Sequence, residues 1–177
     1  MNSCFQNRSR GAVMVEFAII TPVLILLAFG ITEFGRALYQ QNILTHQVQA
    51  GARYLARVQN ILDDNCVQQA NWSAAEATAK NIVVYGSTSG GTPAIPNLAI
   101  ENVNISQEVR SIYVAAVDET ISACAIKVHA EATFAGVFGS GITVPAVPFQ
   151  GADNEISWGG FNNVTLNATT EERYIGE

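Results

Sequence analysis

The sequence predicts an α+β protein in which one long amino-terminal helix crosses a membrane and continues into a small domain with an antiparallel sheet. Three observations predict this fold: an apolar run from Ala12 to Thr32, a one-sided apolar pattern after it, and period-two alternation beyond residue 99. The 177 residues are enough for one anchor and one modest domain. We therefore divide the chain into residues 1–11, 12–32, 33–60 and 61–177.

The apolar run predicts a membrane span at residues 12–32, because about 20 apolar residues cross a bilayer as a helix. The run is longer than the apolar part of a normal secretory signal peptide, and no small-x-small cleavage site follows it. Arg8 and Arg10 precede it and favour an amino terminus on the cytoplasmic side. Arg36 lies beyond the other end, and the neighbouring Glu33 contributes little to this charge rule.

Glu16 is the one charged residue inside the span, where an ionisable group is costly and usually has a partner or a role. If the chain were cut between Gly11 and Ala12, Glu16 would be the fifth residue after a new, positively charged amine. That amine could then pair with the carboxylate of a neighbouring subunit and set the register between them. The alternative is a carboxylate at the headgroup boundary, where its cost is small.

The span and the segment after it are predicted to form one nearly continuous helix from Ala12 to about Gln59, roughly 70 Å long at 1.5 Å per residue. Pro22 lies inside the span and is expected to kink the helix, since proline removes a backbone donor. Past the membrane, apolar residues recur at helical spacing: Leu44, Val48, Gly51, Ala52, Leu55, Val58 and Leu62. This stripe predicts packing on the protein's own domain, or alternatively a seam for a partner.

The outer domain is predicted to begin after a break at Asp63-Asp64-Asn65. A capping box over residues 73–76 (SAAE) predicts a second helix from Ser73 to about Tyr85. Residues 86–96 (GSTSGGTPAIP) are too rich in glycine and proline for a regular element.

Strands are predicted in the second half of the domain. Residues 126–134 alternate cleanly between apolar and polar, whereas Pro145 and Pro148 argue against a central strand. The predicted strand segments are residues 99–106, 112–117, 126–134 and 164–168, with a turn at 136–141.

Composition and motifs argue against several functions. The chain has a formal net charge of −6 and two lysines, so nucleic acid is not an expected partner. It contains no phosphate-binding loop, GxSxG, CxxC, HExxH or EF-hand motif. His46, His129 and the Asp118-Glu119 pair fit solvated positions better than catalytic or ligand roles. We therefore expect no enzymatic activity, no cofactor and no metal.

Residues 11–17 (GAVMVEF) resemble the processing site of Flp-type prepilins and their pseudopilin relatives. A longer stretch, residues 10–38, resembles the TadE-like family of tight-adherence pilus assembly proteins, with Pro22 and residues 31–38 (ITEFGRAL) in the expected places. Residues 50–56 (AGARYLA) resemble that family's EGARYAA stretch, with Ala50 where glutamate is common. Residues 165–170 are similar to its closing strand.

The resemblance implies a non-catalytic pseudopilin or minor pilin that helps assemble a Flp-type (type IV) pilus. A prepilin peptidase would cut after Gly11, leaving Ala12 first, with Glu16 as the register contact and Phe17 as its flanking aromatic. The implied partners are that peptidase, the major Flp-type pilin, a second pseudopilin with the inner-membrane assembly platform, and membrane lipid. The implied location is the bacterial inner membrane, single-pass, with a cytoplasmic amino terminus and a periplasmic domain.

The cysteines agree with this location. Cys4 lies in the leader, whereas Cys66 and Cys124 lie in the outer domain, where an oxidising periplasm would permit a disulfide between them. Two buried free thiols are the alternative.

Two other functions stay open from the sequence. The chain could be a permanently anchored periplasmic module that binds a ligand or an envelope component without processing. It could also be an anchored enzyme, which would require a cluster of polar side chains in a pocket. Whether the chain joins the filament or stays in the membrane is equally open.

Overall fold

The computed structural model describes residues 6–114, 119–136, 139–140, 142–150, 156–161 and 164–176. Two helices precede the strands, which confirms the α+β class. The elements are α1 (Gln6–Arg57), α2 (Trp72–Tyr85), a 3-10 turn (Ile100–Asn102), β1 (Val103–Val114), β2 (Glu119–Thr133), β3 (Ala135–Gly136), β4 (Gly139–Ser140), β5 (Ile142–Gln150), β6 (Ile156–Phe161) and β7 (Thr165–Arg173).

The main sheet has three antiparallel strands in the order β1-β2-β7. Its register places Val103, Ala130 and Ala168 in one row across the sheet. All three are buried, because this face of the sheet packs against the helices. Two further pairs, β3 with β4 and β5 with β6, form two-stranded ribbons.

The core lies between the outer half of α1, helix α2 and the main sheet. The predicted stripe on α1 is buried here: Leu44, Val48, Ala52 and Leu55 are fully buried. Gly51 lets α2 approach closely, since a Cβ at this position would stand 2.7 Å from Val83 Cγ2. The stripe therefore packs on the protein's own domain.

The segment after β7 closes the carboxyl end of α1. The Ile175 amide donates a hydrogen bond to the Ala56 carbonyl at 2.9 Å. The Tyr174 hydroxyl donates to the Val58 carbonyl at 3.1 Å and accepts from the Ile61 amide at 3.3 Å. Carbonyls at a helix end lack intrahelical partners, and these hydrogen bonds provide the missing partners.

The predicted start of the second helix is wrong. Helix α2 begins at Trp72 with Asn71 as its N-cap, and no side chain caps it. Ser73 is already inside the helix, and Glu76 accepts a hydrogen bond from Trp72 Nε1 at 2.9 Å while pairing with Lys80 at 2.8 Å. The packing of Trp72, which is 4% exposed, sets the first turn in place of the capping box.

The strand boundaries also differ from the prediction. The two weak segments before residue 118 belong to one strand, β1, which begins only at Val103, after the 3-10 turn. Residues 115–118, including Asp118, lie outside the described part, and Glu119 begins β2. Strand β2 is longer than predicted because its first residues pair with the end of β1. Pro145 and Pro148 lie in β5, in a two-stranded ribbon rather than a central strand.

Candidate assembly segment on the amino-terminal helix

No residue of α1 between positions 11 and 32 is buried in the described structure. Residues 11–20 are all exposed, and the most apolar window of the helix has no residue buried in the structure. Large apolar side chains point outwards all round, as shown by Val13, Phe17, Ile19 and Leu24. This one helix is therefore long and apolar enough to cross a membrane.

The predicted processing residues lie at the accessible end of this segment. Gly11 is exposed, and a Cβ added to it would meet nothing within 4 Å. Glycine lowers helix stability by about 1 kcal/mol relative to alanine, so Gly11 favours local opening of the helix at this position. Ala12 follows it, and both residues stand clear of the folded domain.

Glu16 and Phe17 are exposed one turn further along the helix. Ala12 and Glu16 are four residues apart, which corresponds to about 6 Å along the axis and to the same face of the helix. A new amine at Ala12 would therefore lie within reach of a Glu16 carboxylate, on its own helix or on a neighbour in suitable register. Within the described residues no domain side chain competes for this carboxylate.

The helix continues without interruption through Pro22. The Thr21 hydroxyl donates to the Phe17 carbonyl at 2.7 Å, and the Thr32 hydroxyl donates to the Ala28 carbonyl at 2.8 Å. These bonds satisfy polar groups inside the apolar run, as a lipid environment requires. The kink expected at Pro22 stays a prediction.

The domain meets α1 just beyond the predicted span. Glu33 is only 1% exposed, although Ile31 and Phe34 on either side are 73% and 59% exposed. One and two turns further, Arg36 Nη2 and Gln40 Nε2 both donate to the Ala135 carbonyl, at 3.4 and 3.3 Å. Side chains of the helix therefore bind backbone groups at one end of the domain.

Cys66 and Cys124 form a disulfide with an S–S distance of 2.01 Å and a sequence separation of 58. It ties the segment between the helices to β2. Beside it is an open cavity of about 720 Å³, formed by the segment after α1, by β2 and by the tail after β7; among its lining residues are Asp63, Asp64, Ser122, Arg173 and Tyr174.

One oxygen of the Asp63 carboxylate is already bound by the loop beside that cavity. Its Oδ1 accepts hydrogen bonds from the Asn65 amide at 2.9 Å and the Val67 amide at 2.8 Å. Within the described residues no group of three or more acids, histidines or cysteines has the arrangement of a metal site.

The solvent side of the sheet carries a hydroxyl–imidazole–carboxylate chain. His129 Nδ1 is 2.7 Å from Thr169 Oγ1, and His129 Nε2 is 3.0 Å from Glu131 Oε1. These are the groups of a nucleophilic triad, but such catalysis also needs hydrogen-bond donors for an oxyanion in a water-excluded site. This network of three side chains lies on the solvent side of the sheet, and its residues do not line the cavity described above. We read it as a surface network, so His129 is on the polar face as predicted.

The same face carries a bridge across the middle strand. Arg110 of β1 donates to both carboxylate oxygens of Glu171 of β7, at 2.7 and 2.8 Å. This hydrogen bonding holds the pKa of Glu171 below its ordinary value and raises the pKa of Arg110. Arg110 also lies 3.3 Å from Glu108, so the outer face is held by side-chain pairs rather than by apolar packing.

A comparison with protein families finds a match on α1. The model of the TadE-like protein family matches residues 11–53, beginning at the predicted processing glycine. This segment is similar to the TadE-like family. The match includes the exposed half of α1 and most of the half that packs on the domain. No curated protein and no solved structure matches the chain.

The sequence reasoning missed the burial of Glu33. A signal was present, because Glu33, Ala37, Gln40 and Leu44 continue the buried stripe at helical spacing. The sequence analysis considered this acid only in the charge rule, to which it contributes little. The role of the tail after β7 had no comparable signal, since its partners are more than 100 positions earlier in the chain.

Proposed function

We propose that this protein is a membrane-anchored, non-catalytic pseudopilin or minor pilin of a tight-adherence pilus, processed after Gly11 by a prepilin peptidase. The observation that supports it most is the TadE-like match that starts at Gly11, on a helix whose residues 11–20 are all exposed. In this proposal the helix is held in the bacterial inner membrane, with the amino terminus in the cytoplasm and the disulfide-bonded domain in the periplasm.

The proposal gives each residue of this segment a role. Cleavage at Gly11 creates an amine at Ala12, one turn from Glu16. Pairing of that amine with the Glu16 carboxylate of an adjacent helix sets their register, because a slip would leave two charges unpaired in lipid. Phe17 and the other exposed apolar side chains supply the surface that packs against the major Flp-type pilin, a second pseudopilin and the assembly platform.

The test is the intact mass of the protein isolated from membranes, with and without a prepilin peptidase. We expect the peptidase to remove residues 1–11, and Gly11→Val to block this loss. Gly35→Val is the matched control, because Gly35 lies on the same helix with nothing within 4 Å of its Cβ position. An unchanged mass in the presence of an active peptidase would contradict the pseudopilin proposal.

The cavity beside the disulfide supports a second candidate, a permanently anchored periplasmic module that binds an envelope component. Its volume of about 720 Å³ is within the range of small-molecule sites. This candidate predicts that the amino terminus stays intact whether the peptidase is present or absent, so the same mass measurement separates the two.

A further inference from the structure

Strand β2 continues beyond the end of its neighbour β7. The ladder between them ends at Ala125 and Arg173, after which the Tyr174 amide donates to the Cys124 carbonyl at 2.8 Å. The chain then leaves the sheet to close the end of α1. Among the described residues, positions 119–123 of β2 therefore pair with β1 on one side and with no strand on the other. We call this second side of residues 119–123 the open edge.

The ladder pattern shows which backbone groups the open edge presents. In an antiparallel ladder, the N–H and C=O groups of every second residue point to the same side. The Cys124 carbonyl points towards β7, because it accepts a hydrogen bond from Tyr174. The N–H and C=O groups of Ser122 and Thr120 therefore point the same way, past the end of β7. Within the described part of the chain, no strand bonds to them on that side.

The open cavity beside the disulfide lies along this edge. Ser122, Ala123 and Cys124 line it from β2, and Tyr174 lines it from the tail after β7. The segment after α1 forms the opposite wall and is tied to β2 by the disulfide. A chain that paired with Ser122 would therefore lie in the cavity, in line with β7.

The upper part of the β1–β2 hairpin has the properties of an edge that accepts a strand. Two strands alone are marginally stable in water, and here Val109 and Tyr113 on the disulfide-bearing face are 55% and 61% exposed. Residues 119–123 (ETISA) contain no proline or lysine, the residues that commonly protect an edge. An unpaired edge of this kind can bind an extended peptide through main-chain hydrogen bonds.

The charges in the cavity indicate which side chain such a strand would carry. A residue paired with Ser122 points its side chain to the face that carries the disulfide, because paired residues share a face. Asp63 and Asp64 line the cavity, and Arg173 is its one basic lining residue. Arg173 pairs with Ala125 and so belongs to the other face of the sheet. A basic side chain is therefore favoured at the position opposite Ser122.

We infer that the open edge of β2 binds an extended strand of another polypeptide, which runs in the direction of β7 and places a basic side chain beside Asp63 and Asp64. The added strand exchanges main-chain hydrogen bonds with Ser122 and Thr120 and becomes the third strand beside the hairpin. The inference names a class of ligand for the cavity. It does not depend on cleavage at Gly11.

The open edge lies at the end of the domain that points away from the predicted span. Strand β7 runs in the same direction as α1, because Asn167 bonds to Gln41 and Glu172 pairs with Arg53 further along the helix. The five residues of the open edge extend about 16 Å beyond β7. Under the proposed anchoring, a periplasmic polypeptide can therefore reach this edge without entering lipid.

A short peptide tests the pairing. The probe is a fluorescein-labelled, capped peptide Thr-Lys-Thr-Val-Thr, in which the lysine pairs with Ser122 and the valine pairs with Thr120. We would titrate it with the detergent-solubilised full chain and measure the fluorescence anisotropy. We expect saturable binding, weakened about fivefold when the lysine is replaced by glutamate. Absence of binding by both peptides would overturn strand addition, and equal binding would overturn the basic side chain.

Backbone methylation distinguishes strand pairing from general adhesion without changing the protein. In the added strand the lysine N–H points to the Ser122 carbonyl, whereas the N–H of the middle threonine points away from β2. An N-methyl group on the lysine should weaken binding about tenfold, because it removes one main-chain hydrogen bond. An N-methyl group on the middle threonine should have little effect. Equal losses from the two peptides would overturn the pairing.

A matched pair of proline variants tests the edge from the side of the protein. Ser111 and Ser122 are paired and exposed, and their N–H groups point to opposite edges of the hairpin. Proline should be tolerated at both positions, since neither N–H belongs to the β1–β2 ladder. Ser122→Pro should weaken binding of the lysine peptide about tenfold, and Ser111→Pro should leave it unchanged.

Equal binding of the lysine peptide by the two proline variants would overturn the assignment to the open edge. The titration and the mass measurement can fail independently. A chain that keeps residues 1–11 but binds the peptide loses only the pseudopilin proposal, whereas a processed chain that does not bind it loses only the strand site.

Discussion

The inner and outer halves of α1 share one uninterrupted helix but have opposite surroundings. Residues 11–20 are all exposed, whereas the outer half buries Leu44, Val48 and Leu55 against α2 and the sheet. The exposed residues 11–20 are not covered by the domain, so we expect their effects to depend on what lies outside the chain, which the proposed function identifies as lipid, a peptidase or another subunit. The outer half is selected by its own domain. Changes in the two halves should therefore have separable effects.

The largest expected effect is on assembly and comes from the inner half. Under the proposed function, Glu16→Gln should abolish pilus formation, because an amide cannot pair electrostatically with the amine of a neighbouring helix. The free energy of unfolding of the outer domain should change by less than about 0.5 kcal/mol, as for other exposed sites. Pili sheared from cells and denaturant unfolding in detergent measure the two effects.

Glu101→Gln is the matched control, since Glu101 is an exposed acid in the outer domain. It should leave assembly intact. A Glu16→Gln strain with normal pili would show that the acid in the inner half has no pairing role.

The largest expected loss of stability comes from the disulfide. Cys124→Ser opens a link across 58 positions, and the chain-entropy relation gives a loss of about 4 kcal/mol in the free energy of unfolding. The measurement is denaturant unfolding of the full chain, with and without reductant. Cys4→Ser, outside the domain, should change nothing, and an equal loss in both variants would contradict the assignment of stability to the outer region.

A pair of leucines compares the two halves directly. Leu44→Ala should cost about 2–5 kcal/mol, because Leu44 is fully buried and its removal leaves a cavity. Leu24→Ala, on the exposed half, should leave the unfolding of the domain unchanged. If Leu44→Ala and Leu24→Ala unfold at the same denaturant concentration, the expectation that only the outer half of α1 stabilises the domain is contradicted.

The smallest expected effect is the pH dependence contributed by Glu171. Its pKa is lowered in the folded state by the hydrogen bonds from Arg110, so its contribution to stability is present above the unfolded carboxyl pKa. That contribution is lost as the pH falls through the lowered folded-state pKa. Glu171→Gln should flatten the acid limb of a stability–pH curve, and an acid limb equal to that of the natural chain would contradict a role of the Arg110 contact in it.

The local patterns of the chain predicted most of the elements. The long helix, the break at Asp63-Asp64-Asn65 and the alternation over residues 126–134 follow from spacing and turn residues, and the structure has them all. The capping box failed because Trp72 packs into the core and begins the helix one residue earlier. The predicted boundaries of β1 and β2 were wrong because pairing between the strands, and not local propensity, decides where each strand ends.

The sequence by itself determined the fold class, the apolar span and the TadE-like motif, because these depend on residues close together in the chain. Only the tertiary structure decided that Glu33 is buried, that the tail after β7 caps α1, and that Arg110 reaches Glu171 across β2. Each of these needs two distant segments to become neighbours. Which segments meet depends on strand order and on how closely the helices approach. Neither can be predicted from the spacing of residues within one segment.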